Sequence, residues 1–142
     1  MARRKVQGFT LVEIMVVVVI LAILTSIAVS SFSGSTRDSQ RARAMAGLSA
    51  LNDAAARYYQ TAFSYEDMTI AGLTAAATLS LPTEYTFAVV VAADNQSYQA
   101  TAVPTAGGTM AGDGGMMMSS TGQRCYYPGD DTPDYATCPK SF

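Results

Sequence analysis

The sequence predicts an α+β protein in which a long N-terminal α-helix packs on an antiparallel sheet of three or four strands. Three observations carry this expectation. Residues 9 to 29 form a predominantly apolar run whose only strongly polar member is Glu13, and an Ala-rich amphipathic stretch follows without a strong breaker. From Tyr85 onward, short β-branched and aromatic stretches alternate with turn residues. An amphipathic helix and a one-sided sheet each have an apolar face to bury, and packing them together buries both.

The chain has 142 residues, enough for one compact domain once a membrane segment is set aside. Removing Arg3, Arg4 and Lys5 from the nine basic residues leaves six against eleven acidic ones, a net charge of −5. Beyond Thr61 the basic residues are Arg124 and Lys140, against eight acidic ones, so phosphate neutralisation has little to draw on and no nucleic-acid partner is expected for the isolated head. Histidine is absent, which removes the commonest general base and transition-metal ligand; no catalytic residue, metal or cofactor is predicted.

Phe9 to Val29 reads FTLVEIMVVVVILAILTSIAV, 21 residues, which as a helix rising about 1.5 Å per residue covers the ~30 Å hydrocarbon layer. The preceding basic residues favour a cytoplasmic N-terminus and an exported C-terminal part. In an oxidising compartment, an even pair of cysteines, Cys125 and Cys138, reads as a disulfide. Glu13 is the one strongly polar residue of the run. A carboxylate in a membrane span costs roughly 2.5 to 3.5 kcal/mol even on the lenient insertion scale, so it either reaches water at the interface or has a partner. A secretory signal peptide shares the basic start and the small residues at 28–31, but this apolar run is long for one and continues into a second helical stretch.

The stretch KVQGFTLVEIMVVVVILAI resembles the leader and helix of the type IV pilin family, with a short basic leader, Gly8, Phe9, Glu13 and then an apolar run. The resemblance implies that residues 1–8 are a leader, 9–36 a transmembrane and filament-core helix, and 37–142 a globular head. It implies that prepilin peptidase cuts between Gly8 and Phe9 and methylates the new Phe9 amine. It also gives Glu13 a partner, the Phe9 amine of a neighbouring subunit, since a buried charge seeks its opposite. The implied partners are other pilin subunits, the peptidase, an inner-membrane assembly platform, and membrane lipid before assembly. The implied location is the inner membrane, single-pass with a periplasmic C-terminus, and then an extracellular filament. The family usually has proline where this chain has Ser30.

Between Arg37 and Gln60, Met45, Leu48, Leu51, Ala55 and Tyr58 recur three or four apart, the spacing of one helix face. Ser30 to Ser35 and Gly34 are a weak point, yet the resemblance implies one helix from Phe9 to about Thr61, roughly 80 Å long. Phe63 to Pro82 reads as a connecting loop with short helical turns. Tyr85 to Ala93 and Ser97 to Val103, joined by Asp94-Asn95-Gln96, read as a hairpin. Pro104 and the glycines from Gly107 to Gly115 read as a flexible connection, Met116 to Met118 as a third strand, and Arg124 to Tyr127 as following a turn at Gly122. A loop closed by Cys125 and Cys138 resembles the disulfide-bounded C-terminal region of pilins. Asp130, Asp131 and Asp134 within it have the composition of a solvated turn, with calcium as the alternative. Tyr126, Tyr127 and Tyr135 read as core packing for at least one ring, with a contact patch as the alternative.

The function expected is a structural subunit of a type IV pilus. Arg41-Ala-Arg, Tyr58-Tyr59 and the YTF and SYQATAVP strands also look like those of minor pilins. The alternatives are a pseudopilin of type II secretion, against which the C-terminal disulfide argues, and a single-pass periplasmic binding module. For the last, the sequence offers no convergent set of ligand-binding residues.

Overall fold

The computed structural model describes residues 9–132 and 135–142, and for 28–31 the backbone alone. Gly8 and Asp134 lie outside the described residues. The chain divides into two compact units, one ending at Thr36 and the other running from Arg37 to Phe142. Helix α1 (Leu11–Ala62, 52 residues) contributes to both.

In the first unit α1 starts where the Thr10 hydroxyl accepts the Glu13 backbone N–H at 3.3 Å, which occupies one of the N–H groups a helix start leaves unpaired. Its apolar side chains from Leu11 to Ile27 are exposed, and the segment is long and apolar enough to cross a membrane. Thr25 and Ser26 turn their hydroxyls onto the carbonyls of Leu21 and Ile23, so these polar groups are satisfied within the helix. The backbone stays helical through Ser30 and Gly34, the weak point of the sequence.

The second unit holds the core. Ala44, Leu48, Leu51 and Ala55 of α1 are buried at three- and four-residue spacing. Met45 and Tyr58, expected on the same stripe, are only partly buried, and Ala54 joins the core instead. The sheet is a four-stranded antiparallel meander of β1 (Tyr85–Val91), β2 (Tyr98–Pro104), β3 (Met116–Ser119) and β4 (Arg124–Tyr126), in that spatial order. Ala100 and Ala102 of β2 pair with Val89 and Phe87 on one side and with Met118 and Met116 on the other. These small residues between larger ones leave room for the α1 leucines, which share their cluster.

Met117 points to the opposite sheet face, as strand alternation requires, and packs with Cys125 and Tyr127 in a second small cluster. Three departures from the sequence reading stand out. Pro104 ends β2 rather than starting a connection. Within the predicted loop, α2 (Ile70–Ala77) is a regular helix. Thr69 caps its N-terminus by accepting the Gly72 N–H, and Leu73 is its buried anchor. The stretch read as flexible before β3 is anchored, with Met110 and Asp113 buried.

Candidate functional site

The N-terminal candidates sit at the start of α1. Phe9 precedes the helix and is exposed, and Glu13 lies in its first turn. Among the described residues no basic side chain pairs with Glu13.

Asp113 is the centre of the head's polar structure. It is 6% exposed, and its carboxylate takes two hydrogen bonds from Arg41 of α1, one of them at 3.0 Å from Nε, and a third from the Tyr85 hydroxyl at 2.8 Å. The guanidinium also bonds Asp38 at 3.1 Å and lies 5.0 Å from the centre of the Tyr126 ring. The Asp113 carbonyl accepts the Tyr126 hydroxyl and the Gly129 N–H. Burial alone would raise the Asp113 carboxyl, but the bonds from Arg41 and Tyr85 and the arginine charge outweigh it and hold it below its ordinary value. The bond to Asp113 raises Arg41, against the desolvation that would lower it. Burial, then the Asp113 bond, pushes the Tyr85 phenol up.

Sequence reasoning missed this cluster. Arg41 stands in the Arg41-Ala-Arg array, but its partner lies 72 residues away in a glycine-rich stretch whose composition resembles a linker. The available signal was an acid flanked by Gly112 and Gly114, a pattern in which glycine can serve close backbone approach.

Cys125 and Cys138 are joined by a disulfide with Cα atoms 5.3 Å apart. Asp131 in this loop accepts the Gly112 N–H at 2.6 Å and the Gly114 N–H at 2.9 Å, and Asp130 accepts the N–H of Thr132. Among the described residues no group of three acidic, cysteine or histidine side chains is placed to hold a metal. Tyr126 and Tyr127 are buried, and Tyr135 stands edge-on to Tyr127 with ring centres 5.2 Å apart. Near the C-terminal end of α1, Tyr59 packs against Tyr65, and Tyr65 against Tyr98, with ring centres 4.9 and 4.8 Å apart. The Tyr98 hydroxyl donates to Asn52, and burial, with Tyr65 beside it, pushes this phenol up to about 12.

The family described as "Type IV minor pilin ComP, DNA uptake sequence receptor" matches residues 30–125. The chain belongs to the type IV minor pilins. In this minor pilin a second match, to the prokaryotic N-terminal methylation motif, covers residues 3–29 and so includes Gly8, Phe9 and Glu13. The first match stops at Cys125, leaving Asp131 and Cys138 beyond it. Type II secretion system core protein G of Aeromonas hydrophila is 40% identical over 58 residues, 41% of each chain. The minor pilin thus spans about two fifths of that relative's length. A solved type IV pilin from Shewanella oneidensis is 21% identical with a TM-score of 0.45, covering 71% of this chain and 97% of that one.

Proposed function

We propose that this minor pilin is a structural subunit of a type IV pilus. Prepilin peptidase cuts it between Gly8 and Phe9 and methylates the Phe9 amine. The helix, residues 9–36, holds it in the inner membrane with the head, 37–142, on the periplasmic side. An assembly platform then passes it into a filament of pilin subunits, where Glu13 pairs with the Phe9 amine of a neighbour. The observation that carries this reading is the methylation motif over residues 3–29 running directly into the minor-pilin match from residue 30. The exposed apolar helix supports it physically, because outside a membrane that surface needs other helices to cover it.

Mass spectrometry of the N-terminus of membrane-extracted protein tests the proposal. A mature chain beginning at methylated Phe9, with processing lost in Gly8→Val, is the expected result. A chain that starts near Ser31, or keeps Met1 in both forms, sinks it. The match to core protein G favours a second reading, a pseudopilin of type II secretion. Recovery of the chain from sheared surface pili separates the two.

The family's description also names a DNA uptake sequence receptor, which runs against the expectation that the head takes no nucleic acid. Arg41 is engaged by Asp113 and Asp38, and Arg37 donates to the Thr109 carbonyl, so DNA binding by the head would draw first on Arg43, Arg57, Arg124 and Lys140. Fluorescence anisotropy with duplex DNA at two salt concentrations decides it. Binding that weakens steeply with salt supports the receptor reading, and absence of binding at micromolar protein returns the head to a structural role.

A further inference from the structure

The C-terminal disulfide loop and the helix-docking carboxylate meet at one short backbone segment. Gly112 and Gly114 flank Asp113, and both adopt positive φ, +78° and +110°. At Gly114 a Cβ would lie 2.0 Å from the Tyr127 carbonyl oxygen, so only glycine fits there. This backbone turns the N–H groups of both glycines toward one point, and the Asp131 carboxylate occupies it, one oxygen on each. The residue between them sends its side chain the other way, to Arg41 on α1 and to Tyr85. Asp131 therefore fixes the backbone on both sides of the carboxylate that ties the helix to the head. Asp131 itself lies inside the loop that Cys125–Cys138 closes. Within that loop the Tyr127 hydroxyl donates to the Thr137 carbonyl. Backbone bonds join the loop to the Asp113 segment (Gly115 N–H to Asp130, Tyr127 N–H to Gly115, Gly129 N–H to Asp113) and, through the Tyr126 N–H, to the Lys140 carbonyl beyond it.

We propose that the Cys125–Cys138 loop is a redox-sensitive clamp: the oxidised loop seats Asp131 on the Gly112 and Gly114 amides and so holds Asp113 in register with Arg41. Reduction by a dithiol breaks the S–S bond. Two electrons and two protons pass to the sulfurs, giving two thiols, and the reductant becomes a cyclic disulfide. The chain after β4 then loses its covalent return to the sheet and Asp131 leaves the glycine amides. Linkage makes the coupling reciprocal, so whatever Asp131 contributes to the seated loop also makes the disulfide harder to reduce.

Glycine-selective ¹⁵N labelling of the full chain in detergent micelles provides the test, because Gly47 on α1 reports the core while Gly112 and Gly114 report the clamp. With dithiothreitol, amide exchange at Gly112 and Gly114 accelerates about tenfold or more while Gly47 stays protected; oxidised Asp131→Asn shows the same local acceleration, and its disulfide is reduced at a several-fold lower dithiothreitol ratio. Unchanged exchange at Gly112 and Gly114 after reduction overturns the proposal. So does acceleration at Gly47 as well, which makes the disulfide a support of the whole head and not a clamp on this segment. An Asp131→Asn variant with the wild-type reduction midpoint overturns the coupling.

Discussion

Arg41 and Asp113, 72 residues apart, form a two-pronged ion pair that joins α1 to the segment before β3. Asp113 is almost entirely buried, and its three side-chain bonds come from groups on two other elements, α1 and β1. Removing the arginine leaves a buried carboxylate with only the Tyr85 hydroxyl. Breaking such a pair from one side costs about 3 kcal/mol or more, whereas replacing both partners with apolar groups costs less. Arg41→Met therefore lowers the thermal midpoint of the head by many degrees, and adding Asp113→Leu restores part of the loss. Circular dichroism melts of the single and double variants measure both.

The same cluster sets the pH window of stability. Asp113 is depressed, so its contribution is complete above the ordinary carboxylate value of about 3.9 and is lost as pH falls through its lower folded value. Tyr85 and Tyr98 are raised, so theirs is complete below the ordinary phenol value of about 10 and is lost as pH rises toward about 12 at Tyr98. Denaturant midpoints form a plateau between about pH 5 and 9 with a fall on each side. In Asp113→Asn the fall on the acid side becomes shallower.

Gly114→Ala places a methyl group against the Tyr127 carbonyl and imposes a φ that L residues rarely adopt. The cost is about 4 kcal/mol or more, enough to leave the head largely unfolded. Gly112→Ala meets nothing within 4 Å at its Cβ and bears only the cost of a positive φ, about 1 kcal/mol. Parallel urea titrations of the two variants show this ordering.

How far the sequence could be read depended on whether a signal was local. The helix, the hairpin around Asp94-Asn95-Gln96, the strand at Met116 to Met118 and the turn at Gly122 all follow from spacing and turn chemistry within about ten residues, and all are present. The N-cap of α2 was also local, Thr69 ahead of an Ile/Leu/Ala run, but Gly72 and the short length obscured it. Asp113 was not legible, because its value lies in Arg41 and Tyr85, which only the folded chain brings near. The glycines around it read as slack for a related reason. What excludes a side chain at Gly114 is a carbonyl thirteen residues later in the sequence.

Leu48 is completely buried on the α1 stripe, in the cluster that holds Ala100, Ala102, Met116 and Met118. Leu48→Ala removes that filling and costs about 3 kcal/mol, since a helix on a sheet closes only partly around a lost side chain. At Met45, partly buried on the margin of the same stripe, the matching substitution costs about 1 kcal/mol. Chemical denaturation of both proteins checks the contrast.

The meander order of the sheet bears on how the head is made. Every strand pairs with its neighbour in sequence, so each pairing closes a short loop and the contact order within the sheet is low. A chain that leaves a membrane channel with α1 foremost can therefore zip its sheet up strand by strand as it emerges, with no early strand waiting unpaired for a late one. The exception is the edge of the schedule: Asp113 has to find an arginine that emerged 72 residues before it. On the proposed export of the head, the Arg41–Asp113 pair that docks α1 becomes possible once residue 113 has emerged, after the β1–β2 hairpin and before β3 and β4 are added.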